Sequence, residues 1–285
     1  MLEESPSPED VGTAFWIAAA RAQESERADR LFTDPYAEAL AGSIGRAALA
    51  ASERASGGEN PFLPIRTRFF DDLLVAEAER LDQVVLLGAG LDTRAFRIHL
   101  PAHLRWFELD RAGILGHKEQ VLAGLGAVAR CSRSVVAADL SGDWREPLVE
   151  SGFEVGLRTG WLAEGLLFYL SEAAVHGIAA EAGRLSGAGS LIAADVFGSG
   201  LLTLPSMQPA ISARAQRGQP PPFTTDDPVG TFKRTGWSAV ELTSPGRLAV
   251  DYGRPIRSPA PDSAQPGSTT QTYLVVARTG GTGPS

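Results

Sequence analysis

The chain reads as an α/β protein: a doubly wound, mostly parallel sheet of seven strands, with helices before it and a lid-like insertion late in the sequence. Three observations carry that reading. Short apolar runs at Gln83–Leu87, Leu104–Leu109, Ser134–Ala138, Thr159–Ala163 and Ser190–Asp195 alternate with helical segments such as Gly113–Leu122 and Ala173–Leu185. The first run feeds a Gly-x-Gly turn at Gly88 and Gly90. The second ends beside an acid, Asp110, twenty residues past Gly90. Strand-helix alternation predicts parallel strands covered on both faces, and the glycines and the acid then fall at the carboxyl edge, where such sheets bind ligands.

The elements follow in order. Residues 1–10 (MLEESPSPED) are expected to form a loose leader, without the basic start and apolar core of a signal peptide. Alanines and large apolar residues over Thr13–Ala22 predict a helix. Asp34-Pro35 predicts the start of another, with Asp34 as N-cap and Pro35 at the first helical position. Gly57–Pro61 is a loop, and Phe69, Phe70, Leu73, Leu74 and Ala78 give Arg66–Arg80 a helical period. Residues 1–80 therefore form an N-terminal helical cap, and 81–285 the sheet core. Gly198–Gly230, rich in Pro, Gly and Gln, breaks the rhythm and reads as an insertion over about 198–235. Two last strands, near Ser238–Thr243 and Thr272–Ala277, flank a Pro/Ser-rich loop at Pro255–Ser268, and 279–285 is expected to be disordered.

Composition narrows the function classes. The chain has 285 residues, 44% hydrophobic and 21% charged, as in an ordinary soluble domain. No apolar run approaches the ~20 residues of a membrane span, so a cytoplasmic protein without a membrane partner is expected. Its 26 basic and 34 acidic residues give a charge of −8, with only two lysines and no basic run, which argues against a nucleic-acid partner. A lone cysteine, Cys131, excludes an internal disulfide and a multi-cysteine metal site, and no metal is expected. Oligomeric state is not written in the sequence.

The glycine turn suits two cofactors, which its neighbours distinguish. A dinucleotide turn carries a third glycine, where this chain has Thr93. Asp92 sets a carboxylate beside the helix start, where a pyrophosphate needs positive potential; otherwise it is a helix N-cap. S-adenosylmethionine, with no phosphate and a positive sulfonium, tolerates an acid there. Asp110 can accept both ribose hydroxyls, and Asp139 with Leu140, after the third strand, suits an adenine amine and ring face. A single acid after a strand is usually a turn residue, but three features in successive β-α units are harder to dismiss. NAD remains the rival cofactor, and an oxidoreductase the rival enzyme.

The segments RTRFFDD (66–72), VVLLGAGLDTRAFR (84–97), FELD (107–110), AADL (137–140) and WLAEGLLFYL (161–170) resemble the leucine carboxyl methyltransferase family. The stretch FWIAAARAQESERADRLFTDPYAEALAG (15–42) is similar to its bacterial branch of tetracenomycin-type polyketide O-methyltransferases. The resemblance runs from about residue 13 to 195. It implies a class I, Rossmann-like methyltransferase fold with S-adenosyl-L-methionine as donor. Carried over position by position, Arg66 pairs with the cofactor carboxylate, with Arg68 the alternative. Gly88 and Gly90 line the methionine portion, Asp110 the ribose, and Asp139 with Leu140 the adenine. Glu164 lies near the methionine amine and the methyl group. The plain alternative for both arginines is a helix-surface ion pair with Asp71 or Asp72.

The chemistry is an in-line displacement that needs alignment and exclusion of water. A carboxylate acceptor, pKa about 4, is already ionised, whereas a phenol near about 10 gains from a base. Glu164, Tyr169 and His176 are the candidates to polarise an acceptor, and no base is assigned. His99, His103 and His117 read as surface histidines, as does His176 in its plain reading. Phe15, Trp16, Phe62, Phe197, Met207 and Phe223 form a candidate apolar wall for an aromatic small-molecule acceptor, or else ordinary packing. A protein C-terminal carboxyl methyltransferase and a catalytically silent binding relative are the other readings.

Overall fold

The computed structural model describes residues 8–204, 207–216, 218–219, 221–254 and 272–280. Ten α-helices and seven strands are found among them. In chain order these are α1 (Pro8–Glu26), α2 (Ala37–Ser56), α3 (Phe62–Glu77), β1 (Gln83–Leu87), α4 (Arg94–Arg97), β2 (Arg105–Asp110) and α5 (Ala112–Gly124). There follow β3 (Ser132–Ala137), α6 (Arg145–Glu150), β4 (Thr159–Ala163), α7 (Glu172–Leu185) and β5 (Leu191–Phe197). The chain continues through α8 (Gln208–Gln216), α9 (Pro228–Arg234), β6 (Ala239–Thr243), α10 (Pro245–Asp251) and β7 (Thr272–Arg278). The sheet order is β3-β2-β1-β4-β5-β7-β6. The pairs β2–β3, β1–β4 and β4–β5 are parallel, whereas β7 runs antiparallel to both β5 and β6. Strand order reverses at β1, whose neighbours in the sheet are β2 and β4.

The chain divides into two compact units. One comprises Met1–Asp82 and Gly88–Phe153. In it α1 packs along α2 and α3, and α5 meets α1 and α2. Phe70, Trp106 and Phe107 fill its core, with the Phe107 and Phe153 rings edge-to-face at 5.8 Å. The other unit comprises Gln83–Leu87 and Glu154–Ser285. Its strands β1 and β4 are buried at every residue, which is why they read as unbroken apolar runs and not as alternations. Their neighbour α7 starts from a true cap, Ser171, whose hydroxyl accepts the Ala174 N–H at 3.2 Å. Two buried indoles keep their N–H groups satisfied: Trp161 donates to Ser186 at 2.8 Å and Trp237 to the Ala179 carbonyl at 2.9 Å.

Several expectations need correction. Helix α1 is described from Pro8 and so reaches into the expected leader, whose residues 1–7 lie outside the described residues. Asp34 does not cap α2; the helix starts three residues later at Ala37, and the Asp34 carboxylate is drawn into a buried ion cluster. The helix expected after the glycine turn is α4, only four residues long, whereas the short helices α6 and α10 were not among the expected elements, being too brief to show a period. The expected insertion contains a 3-10 turn at Ser199–Thr203, then α8 and α9. Its two ends are tied together, Thr225 N–H donating to the Phe197 carbonyl at 2.9 Å and Ser199 N–H to Asp226 at 2.8 Å. The Pro255–Ser268 loop and residues 281–285 lie outside the described residues. Among the described residues, no helix is long and apolar enough to cross a membrane.

Candidate functional site

The Gly-x-Gly turn leaves β1 through two left-handed residues, Gly88 (φ 66°) and Gly90 (φ 52°), a conformation that any side chain would strain. Two bonds to β2 hold it. Ala89 N–H donates to the Leu109 carbonyl at 2.9 Å, and Gly90 N–H donates to Asp110 Oδ2 at 2.7 Å. Asp110 Oδ1 accepts the Arg111 N–H, also at 2.7 Å. Each carboxylate oxygen thus spends one lone pair on backbone and keeps another for a ligand. Burial pushes the Asp110 carboxyl upward, and the two amides and the Arg111 charge only partly offset it.

On β3, alongside, the register sets Asp110 opposite Ala137, and Ala138 N–H donates to the Asp110 carbonyl at 3.0 Å. Asp139, two residues on, is exposed, with Leu140 buried next to it. Asp139 Oδ1 accepts both the N–H and the hydroxyl of Ser141, at 2.9 and 2.7 Å, and these bonds hold its carboxyl below the usual range. Gly88, Gly90, Asp110, Asp139 and Leu140 therefore share one edge of the first unit.

The two arginines of α3 separate clearly. Arg68 is the surface ion pair: its Nε donates to Asp72 at 2.8 Å and its Nη1 to the Leu31 carbonyl at 2.7 Å, with the side chain half exposed. Arg66 is buried, its guanidinium 5.5 Å from the centre of the Phe62 ring. Asp71 belongs to neither; its carboxylate is held by Arg94 at 2.6 Å and by both terminal nitrogens of Arg97 at 2.6 and 2.7 Å.

That last pairing opens onto a cluster beneath the turn which sequence reasoning missed. Asp92 does cap locally, accepting the Arg94 N–H at 2.7 Å, but its other oxygen takes the Arg94 guanidinium. Burial raises its carboxyl, yet Arg94, Lys118, Arg97 and Arg21 outweigh that and hold it at about 2. Asp34 is fully buried between Arg21, Thr93 and Arg97. Burial again raises the carboxyl and the arginines prevail, leaving it below its ordinary value. The first turn of α4 is thus occupied by the protein's own carboxylate. Behind β2, Glu108 accepts Lys118 at 2.7 Å, Arg133 at 2.6 and 2.9 Å, and the Trp106 indole at 3.2 Å. Glu108 and Lys118 have no exposed side-chain surface. An isolated acid or lysine gives no sign in sequence that it will be buried; only the pairing across strand and helix reveals it.

In the second unit, Glu164 follows β4 and is half-buried. The next residue, Gly165 (φ 65°), donates its N–H to Asp195 of β5 at 2.6 Å. The Phe168 ring meets Tyr169 at 5.8 Å and Phe197 at 5.1 Å, both edge-on. Tyr169 is itself 46% exposed, and its carbonyl accepts the buried Arg214 of α8 at 3.3 Å. His176 is no surface histidine: its Nε2 is shielded from solvent and has no hydrogen-bond partner among the described residues, and its ring faces Phe223 at 6.4 Å. His117 also departs from the surface reading, packing on Phe15 at 4.6 Å with a ring nitrogen 3.0 Å from the Leu40 carbonyl. Phe15 is buried, at 4% exposure. His99 and His103 are exposed, as expected.

The sequence profile of the leucine carboxyl methyltransferase family matches residues 14–182, more than half of the chain. A Parafrankia protein is 46% identical over 190 residues, which are 64% of this chain but only 61% of that protein. A Streptomyces avermitilis protein is 39% identical over 276 residues, covering 93% of this chain and 96% of that one. Both are assigned, by name alone, as S-adenosyl-L-methionine-dependent methyltransferases. A solved structure described as a methyltransferase from Thermobifida fusca shares the fold, with a TM-score of 0.58 at 19% identity over 90% of this chain and 96% of that one. With its glycine turn, its strand-end acids and a match over residues 14–182, the chain belongs to the leucine carboxyl methyltransferase family of S-adenosyl-L-methionine-dependent methyltransferases.

Proposed function

We propose that the protein is an O-methyltransferase that methylates a carboxylate or phenolic hydroxyl of a small molecule, of the polyketide or secondary-metabolite kind. The observation that carries the donor side is the Gly90–Asp110 turn. Its acid holds the backbone and keeps lone pairs for a ribose, while Asp92 fills the helix start that a pyrophosphate would need. Nicotinamide dinucleotides fit that arrangement poorly. S-adenosyl-L-methionine fits it and supplies an electrophilic methyl group on sulfur.

The chain's residues have the remaining tasks. Asp110 orients the ribose through both carboxylate oxygens, and exposed Asp139 beside buried Leu140 suits an adenine amine and ring face. Arg66, buried against Phe62, serves the methionine carboxylate, and Glu164 its amine. The edge-on cluster of Phe168, Tyr169 and Phe197, together with the Phe223–His176 ring pair, supports an aromatic acceptor. His176 and Tyr169 are the groups able to take or polarise a phenolic proton; an ionised carboxylate needs neither. The resemblance of residues 15–42 to the tetracenomycin-type branch supports a polyketide-like acceptor. The family's name favours a second reading, methylation of a protein C-terminal carboxylate.

The test is transfer of a labelled methyl group from S-adenosyl-L-methionine to a panel of phenols, aryl carboxylic acids and a peptide ending in leucine. Base-labile label on acids marks an ester, and base-stable label on phenols an ether. Label found only on protein or RNA, with none on any small molecule, would overturn the proposal.

A further inference from the structure

Thr93 stands where a dinucleotide turn has its third glycine, and here its hydroxyl donates to Asp34 Oδ2 at 2.7 Å. The same oxygen accepts Arg21 Nε, from α1, at 2.8 Å, and Arg97 lies 3.9 Å away. Arg21 also donates from Nη2 to the Leu91 carbonyl at 2.5 Å, on the residue after Gly90. Two helical turns earlier on α1, Ala14 lies against the turn: a Cβ placed on Gly90 would stand 3.8 Å from the Ala14 methyl. Helix α1 thus follows the turn along its length. Asp34 Oδ1 meanwhile accepts the Tyr36 N–H at 3.1 Å, so the chain entering α2 is tied to the same carboxylate.

The turn is accordingly held at two ends by different parts of the chain. Asp110 fixes the Gly90 amide from β2, and the Asp34 cluster fixes Leu91 and Thr93 from the N-terminal helices. Charge-assisted bonds in a buried setting are strong and directional, so a turn held this way has one conformation.

We propose that Asp34 is a positioning residue for the cofactor turn. Acting through Thr93 and Arg21, it locks the Leu91–Thr93 end of the turn to α1, so that docking of α1 and binding of the donor are one coupled equilibrium. Linkage makes the coupling reciprocal: what loosens α1 weakens the cofactor, and the cofactor tightens α1. The inference rests on the turn being the S-adenosyl-L-methionine site. It concerns residues that need not touch the cofactor.

The probe is S-adenosylhomocysteine, titrated calorimetrically into the whole protein. Thr93→Val keeps shape and removes the hydroxyl, and its Kd should rise roughly tenfold, the order expected for one hydrogen bond to a buried carboxylate. Thr93→Ser restores the hydroxyl and should return Kd to within about twofold of wild type. The KM for the acceptor should stay unchanged in both. Hydrogen exchange on the wild-type protein supplies a readout that does not depend on a variant folding: saturating S-adenosylhomocysteine should slow the amides of residues 14–24 as well as those of 88–93. A Thr93→Val protein that loses thermal stability but keeps wild-type Kd would make the cluster merely structural and overturn the proposal. So would exchange that slows at 88–93 and not at 14–24. Failure of wild-type protein to bind S-adenosylhomocysteine would overturn the donor reading itself, and that result is visible before any variant is compared.

Discussion

Asp110→Asn isolates the charge at the glycine turn while preserving volume. In the wild-type protein one carboxylate oxygen accepts Gly90 N–H and the other Arg111 N–H, both at 2.7 Å, so two lone pairs remain for a ribose diol. An amide has a single acceptor oxygen. Its NH₂ must face one of the two backbone N–H groups, donor against donor, and only one ribose hydroxyl keeps an acceptor. Bonds to a charged group are worth about 1.5–3 kcal/mol each and a neutral replacement about 1 kcal/mol, so the net loss is about 2–4 kcal/mol. That is roughly 30- to 700-fold in Kd for S-adenosylhomocysteine at 1.4 kcal/mol per decade, read by calorimetry at pH 7.5. A pH series sharpens the test. Burial raises the Asp110 carboxyl above its ordinary 3.8, so the folded protein holds that proton more tightly than the unfolded chain, and acidification through the raised value favours the fold. Ribose binding needs the carboxylate, so wild-type affinity falls as acidification passes through that raised value, while the asparagine variant stays flat. A variant Kd within threefold of wild type, or wild-type affinity indifferent to acid, would refute the assignment of Asp110.

Further predictions concern the buried charges. Lys118→Met strands one side of Glu108, which keeps Arg133 and Trp106, and should lower stability by about 2–4 kcal/mol, or Tm by roughly 4–10 °C. Adding Glu108→Gln to that variant should recover part of the loss, since Arg133 retains Glu119 at 2.6 Å; a double variant worse than the sum of the singles contradicts the pairing. Asp92, at about 2, and Asp34, also lowered, contribute stability that is complete above about pH 5 and lost as pH falls through their folded-state values. Urea midpoints should therefore drop between pH 5 and pH 2, and less so in Asp92→Asn; parallel curves would remove Asp92 from the account. Arg68→Ala, which breaks a half-exposed pair, should shift stability by about 1 kcal/mol or less and leave S-adenosylhomocysteine binding within twofold, whereas Arg66→Met should weaken binding at least roughly tenfold. Equal effects of the two would reverse their roles.

The sheet was legible because burial and period coincide in it. β1 and β4 match their apolar runs residue for residue, since strands buried on both faces leave no polar position to blur an end. β3 is two residues out of step, as an edge strand with mixed exposure offers no such boundary. The glycine turn, Asp110 and Asp139 were legible because turn geometry demands particular residue types at fixed offsets. The supporting charges were not. Asp34 had every local mark of a helix cap, and what draws it inward is Arg21, Thr93 and Arg97, thirteen to sixty-three residues away in sequence. His117 and His176 escaped for the same reason: their burial comes from partners on other elements, Phe15 with Leu40 and Phe223.

Two strand ends in this fold use one device: a left-handed glycine whose amide is accepted by an aspartate, Gly90 by Asp110 and Gly165 by Asp195. The carboxylates are therefore aimed by folding and stay put when ligands exchange. On the donor reading proposed above, the fixed charge of Asp110 bears on turnover. The donor arrives with a net positive charge and leaves, after losing its methyl group, with none. Attraction between Asp110 and a donor held there lapses at the moment of reaction, which would speed departure of the spent cofactor and favour its replacement by a charged one. Added salt should weaken S-adenosyl-L-methionine binding more steeply than S-adenosylhomocysteine binding, so that product inhibition deepens as ionic strength rises.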